Sequence, residues 1–91
     1  MPKRRDLNHA EIRDGLRQAG YYVDDCADHG HGFPDLLTVN KNGEIILLEV
    51  KMPGAKLTAD EVEYHKHFPG PLYVVRSLEM ALELMGAIER K

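Results

Sequence analysis

Three charged residues, Asp35, Glu49 and Lys51, stand where a buried β-strand should not tolerate them. Residues 32–51 read Gly-Phe-Pro-Asp-Leu-Leu-Thr-Val-Asn-Lys-Asn-Gly-Glu-Ile-Ile-Leu-Leu-Glu-Val-Lys, two strands joined by a tight turn. Ile45, Ile46, Leu47, Leu48 and Val50 are apolar at both parities, the pattern of a strand covered on both faces. Glu49 interrupts that run, and an ionised carboxylate there is costly unless a cation or hydrogen-bond donors meet it. The turn sets where Glu49 points. Lys41-Asn42-Gly43 fits a three-residue hairpin loop, a type I turn closed by a left-handed Gly43. Asn40 then faces Glu44 and Asp35 faces Glu49, with Cβ atoms about 4.5–5.5 Å apart. Lys51 projects from the same face about 6–7 Å further along. A two-residue loop at Asn42-Gly43 would instead set Asp35 opposite Val50, and the apolar pattern is compatible with either register.

Two carboxylates about 5 Å apart repel by roughly 3 kcal/mol at an effective dielectric of 20. Without a cation one of them tends to keep its proton. Lys51 offsets part of the repulsion, and a hard divalent ion offsets more. Mg²⁺ takes one or two carboxylates together with waters and a phosphate oxygen. An ion so held polarises a phosphoryl oxygen and lowers the pKa of a bound water, while Lys51 orients that water or stabilises charge developing on the phosphate. The chemistry these residue types support is phosphodiester hydrolysis. Taken singly, an Asp before a strand or a Glu-x-Lys within one is ordinary surface decoration. Together, in apolar surroundings and one register, they make a site.

The elements that must hold this site follow from the rest of the chain. A helix is expected from about Asn8 to Ala19, capped by Asp6 or Asn8 and stopped by Gly20. Ile12, Leu16 and Ala19 share a stripe, with Glu11 at its edge, either turned toward the sheet or complementing the helix dipole. Tyr21-Tyr22-Val23 begins a first strand, and Asp28-His29-Gly30-His31-Gly32 is a loop. Leu36 to Asn40 and Glu44 to Lys51 form the second and third strands, ended by Met52-Pro53-Gly54. Thr58-Ala59-Asp60-Glu61 has the form of a capping box, opening a helix that runs to about Phe68. After Pro69-Gly70-Pro71 comes a fourth strand, Leu72 to Arg76. Ser77 then caps a last helix with Leu78, Ala81, Leu82 and Met85 on one face. The expected order is α-β-β-β-α-β-α, an α/β chain with a mixed four-stranded sheet flanked by helices.

With 91 residues, residues 1–91 form one domain, with a basic lead-in over residues 1–6. A core this small gains from oligomerisation. Hydrophobic content of 43% and charged content of 30% fit a soluble globular chain. No signal peptide or membrane-spanning run is evident, and the single Cys26 suits a reducing cytoplasm. The net charge of −3 does not advertise nucleic-acid binding. The charges are segregated, however: Lys3, Arg4, Arg5, Arg13 and Arg17 lie at the front, and Glu79, Glu83 and Glu89 load the final helix.

At this point the residues resemble a family. Pro34-Asp35, a short hairpin and Glu49-Val50-Lys51 look like the PD-(D/E)xK nuclease signature, and the element order is similar to that superfamily's restriction-endonuclease-like core. Gly32-Phe33-Pro34-Asp35-Leu36, Leu48-Glu49-Val50-Lys51 and Leu57-Thr58 before a helix most resemble its VRR-nuc group. The resemblance implies a divalent ion, Mg²⁺ or in its place Mn²⁺, on Asp35, Glu49 and the Val50 carbonyl. It also implies Lys51 as the catalytic lysine and Glu11 as a first-helix acid near the metal. The family often has glutamine where this chain has Glu61, a departure that leaves Glu61 between capping and a place in the site. His65, one turn on, could face the same cleft; Tyr64 could too, though packing is its more natural role. Stand-alone members resemble Holliday-junction resolvases, homodimers that nick branched DNA, and a phage or mobile-element origin would suit such a minimal enzyme.

Three other readings compete. Asp28-His29-Gly30-His31, with Cys26 near, looks like a fragment of a zinc site without a second ligand pair; His31 could instead touch DNA phosphate. A catalytically silent DNA- or protein-binding module is possible on the same fold, but a pure binder has no use for buried like charges. A sequence-specific or nonspecific endonuclease would keep the same three residues. Short loops favour recognition of DNA shape over base readout.

Overall fold

The computed structural model describes residues 6–87. Lys3, Arg4, Arg5 and Glu89, assigned above to the charged ends, lie outside the described residues. The architecture is α/β, a four-stranded mixed sheet with three helices. In chain order the elements are α1 (His9–Gln18), β1 (Tyr22–Asp25), β2 (Leu36–Val39), β3 (Ile45–Val50), α2 (Ala59–His67), β4 (Leu72–Val75) and α3 (Leu78–Met85). Strand order across the sheet is β1-β2-β3-β4, antiparallel for the first two pairings and parallel for β3 with β4. A parallel pair needs a crossover, and α2 lies within it.

The hairpin between β2 and β3 adopts the three-residue turn. Gly43 has φ 82°, its N–H donates to the Asn40 carbonyl at 3.0 Å, and the Asn40 N–H donates to the Glu44 carbonyl at 2.9 Å. The Asn40 side chain secures the loop further, its Oδ1 accepting from the backbone N–H of both Asn42 and Glu44 at 2.9 Å. Leu36 consequently pairs with Leu48 and Thr38 with Ile46. Continued by one residue, this register sets Asp35 opposite Glu49.

Because side chains alternate along a strand, that register divides the sheet into two chemically distinct faces. Leu36, Ile46, Leu48 and Val50 join Ile12 and Leu16 of α1, Val75 of β4 and Ala81 and Met85 of α3 in one apolar cluster. Leu47, Glu49 and Lys51 have the opposite parity and face away from that cluster. The stripe of α1 is Ile12 and Leu16, joined by buried His9, whereas Ala19 is exposed. Gly20, at φ 94°, turns the chain out of the helix. β1 starts one residue later than expected, with Tyr21 outside the strand. Among the described residues no helix is long and apolar enough to cross a membrane.

α2 is built differently from α1 and α3. Its capping box is complete: Thr58 Oγ1 accepts from the Glu61 N–H and the Glu61 side chain accepts from the Thr58 N–H. Its single buried residue is the charged Glu61. The helix start is pressed against the loop before β2 at Gly32, which has φ 78°; a Cβ there would collide with the Asp60 carbonyl. Only glycine satisfies both the left-handed backbone and the close approach.

Candidate active site

Asp35, Glu49, Lys51 and Glu61 are all buried, with 5%, 1%, 8% and 2% of their surfaces exposed. Four ionisable groups withdrawn from water together require partners, and the four are served unequally. Asp35 Oδ2 accepts from the Val50 N–H at 2.9 Å, which fixes its carboxylate against the last residue of β3. Lys51 Nζ stands 2.7 Å from Glu61 Oε1, and that same oxygen accepts from the Thr58 N–H at 2.9 Å. Glu61 therefore caps its helix and neutralises the site lysine with one atom. The sequence left these two roles open, and the structure brings them together.

The electrostatics follow from this packing. Burial works to lower the Lys51 pKa, but the hydrogen bond to Glu61 and the charges of Glu61, Glu49 and Asp6 together outweigh it, so the ammonium is held charged above its usual range. Burial would raise the Glu61 carboxyl; bonding to Lys51 and to the Thr58 N–H outweighs it and holds the group low. Glu49 has no such compensation. Burial first, and then hydrogen bonding with Asp35 and the charges of Asp35 and Glu61, push its carboxyl up to about 10. Among the described residues its Oε1 is buried without a hydrogen-bond partner, as are His65 Nε2 and Asn8 Oδ1. Glu49 Oε1 and His65 Nε2 stand 3.9 Å apart. Burial also lowers the His65 pKa, which favours the neutral ring.

An unpartnered carboxylate oxygen beside a second carboxylate is an observation that a divalent cation accounts for directly. Oxygen donors of this kind suit Mg²⁺ or Mn²⁺, so Asp35 and Glu49 fit such an ion. Val50, the third expected donor, is buried next to both.

Two expected site residues lie outside this buried group. Glu11 is exposed in the first turn of α1. Burial of His9, Ile12 and Leu16 sets the helix phase, and Glu11 falls off that stripe. The acid that α1 brings toward the end of β3 is Asp6, just before the helix: its Oδ2 accepts from the Met52 N–H at 3.1 Å. His31 is exposed in a left-handed turn with φ 56°, outside the buried group. His65 and Glu61 do reach it. Tyr64 packs between Phe33 and Phe68, with ring centroids 5.5 and 5.7 Å away.

Sequence reasoning missed the staples that hold the end of β3. Asn8, expected as a cap, makes no side-chain cap bond. Its Nδ2 donates instead to the carbonyls of Lys51 at 3.2 Å and Arg76 at 3.1 Å. The Arg76 guanidinium donates to the carbonyls of Met52 and Ala55, both at 2.8 Å, and so ties the loop after the lysine to the end of β4. A polar residue at a helix start was visible; its use across 43 residues of sequence was not.

Compared with family models, with curated proteins and with solved structures, the chain matches none of them.

Proposed function

We propose that the chain is a metal-dependent DNA endonuclease on a restriction-endonuclease-like core, hydrolysing phosphodiester bonds in branched DNA and working as a homodimer. One observation carries this reading: buried Glu49, with an unpartnered Oε1, beside buried Asp35 and on the same strand end as an ammonium. Asp35, Glu49 and the Val50 carbonyl would hold the ion. When bound, a divalent ion supplies Lewis-acid activation of the phosphate and an acidified water.

The roles of the side chains follow from their partners. Asp35 is pinned by the Val50 N–H, so its other oxygen has a fixed direction. Lys51, kept cationic by Glu61, is a poor proton acceptor at neutral pH. It acts as a positive donor toward charge developing on the phosphate. Asn8 and Asp6 hold the strand end that presents it, through the Lys51 carbonyl and the Met52 N–H. The three-residue hairpin loop offers little length for reading base edges, which supports recognition through the DNA backbone and its shape.

The test is cleavage of a four-way junction, a splayed flap and a linear duplex with Mg²⁺, Mn²⁺ or chelator. Symmetric nicking of the junction that needs metal is the expected result. The variant to compare is the double replacement Lys51→Met with Glu61→Gln, which avoids leaving either charge buried alone. Its rate should fall by roughly 10²–10³-fold. Cleavage of no substrate, or cleavage untouched by the double replacement, would overturn the proposal.

A further inference from the structure

We propose that His65 is a third side-chain ligand of this centre, and that it biases the centre toward Mn²⁺ and similar ions that accept nitrogen, over Mg²⁺. This rests on the metal site of the proposed function but not on the reaction assigned to it. The carrying observation is that two atoms without partners among the described residues, Glu49 Oε1 and His65 Nε2, belong to different elements and are buried close together. Their 3.9 Å separation is too long for a hydrogen bond. Two coordinate bonds of about 2.1 Å each reach across it.

The position of His65 is built into the helix. It follows Glu61 by four residues and so lies on the same face of α2. Glu61 is locked from two sides, by the Thr58 N–H and by Lys51 Nζ. A clamp on Glu61 therefore also fixes where His65 projects. The ring is largely covered, with 17% of its side chain exposed, while the Glu49 side chain is 1% exposed. A buried imidazole nitrogen without a donor or acceptor costs free energy, and placing an ion between it and Glu49 removes that cost for both atoms. Mg²⁺ is held by oxygen ligands, whereas imidazole suits transition ions. The histidine thus changes which ion the pair of carboxylates accepts.

The experiment uses full-length protein stripped of metal. It is titrated with MnCl₂ and with MgCl₂ by calorimetry, and the Mn²⁺ complex is examined by pulsed electron paramagnetic resonance for coupling to an imidazole nitrogen. The expected result is a nitrogen coupling in the unmodified protein and at least about tenfold tighter binding of Mn²⁺ than of Mg²⁺. His65→Gln should abolish the coupling and weaken Mn²⁺ by roughly tenfold or more, with Mg²⁺ binding nearly unchanged. Circular dichroism establishes that this variant is folded, and His65→Asn serves as a second replacement. Glu49→Gln should lose the same coupling, which separates this centre from the exposed histidines. A Mn²⁺ complex without nitrogen coupling, a coupling that survives His65→Gln, or equal affinity for the two ions would overturn the inference; a water between the two atoms would then account for the gap. DNA cleavage is measured in parallel. Nitrogen coupling without cleavage of any DNA leaves His65 a ligand and removes the nuclease reading. Mg²⁺-supported cleavage without coupling does the reverse.

Discussion

Glu49 sits in the most covered position of the site, and among the described residues the ammonium on its own face, Lys51, is already bonded to Glu61. Without metal the folded chain therefore keeps a proton on Glu49 that the unfolded chain gives up. A folded pKa of about 10 against an ordinary 4.5 means stability from this group is complete below about pH 4.5 and drains away as pH rises toward 10. Glu49→Gln removes that dependence. In chelator at about pH 8.5 its melting temperature should exceed that of the unmodified protein, while metal binding is lost. A lower melting temperature would mean that the carboxyl is satisfied by bonds the amide cannot copy. The conflict was readable from the sequence, since a single acid in an apolar strand run is conspicuous. The identity of the groups around it was less so. His65 could be placed near the cleft from helix spacing, but Glu11 could not be told from Asp6, because the deciding fact is helix phase and His9 shifts it inward.

At the scale of elements, the hairpin was the most legible part, because Lys41-Asn42-Gly43 encodes its geometry locally. Joints between distant elements were not. The α1–β1 joint is one of these: Asp25 Oδ2 accepts from Arg13 at 2.9 Å and lies 3.1 Å from His9 Nε2. Arg13 and His9 lie on one side of α1, and nothing in their spacing names a partner 12 or 16 residues away. Burial would raise the Asp25 carboxyl, but Arg13, the Ala27 N–H and His9 overcome it and hold the group at about 2. A lowered pKa stabilises the fold above the ordinary value of 3.8, and that stability is lost as pH falls toward 2. Asp25→Asn should accordingly cost about 2 kcal/mol at neutral pH and flatten the acid limb between about pH 4 and 2. Urea unfolding at several pH values checks both. An unchanged acid limb would show that the joint is held by packing of Ile12, Leu16 and Val23 alone.

Across the whole molecule the two faces of the sheet are held by different forces. One carries the continuous apolar cluster with α1 and α3; the other meets α2 through Glu61 with Lys51, His65 opposite Glu49, and a short aromatic row of His29, Phe33, Tyr64 and Phe68. Apolar burial stabilises a layer whether or not the site is occupied, whereas an ionic layer depends on the charge state of its members. The single buried side chain of α2 therefore has a kinetic consequence. Its amides should exchange with deuterium through a local opening that leaves α1, α3 and β3 protected, rather than through global unfolding. Adding Mn²⁺ should slow exchange in α2 more than in α1 or α3. Mass spectrometry resolves the segments, and exchange of α2 at the same rate as β3 would show one cooperative unit. A chain that behaves as expected has a two-tier clock, with the half that carries the candidate site opening far more often than the half that keeps the fold.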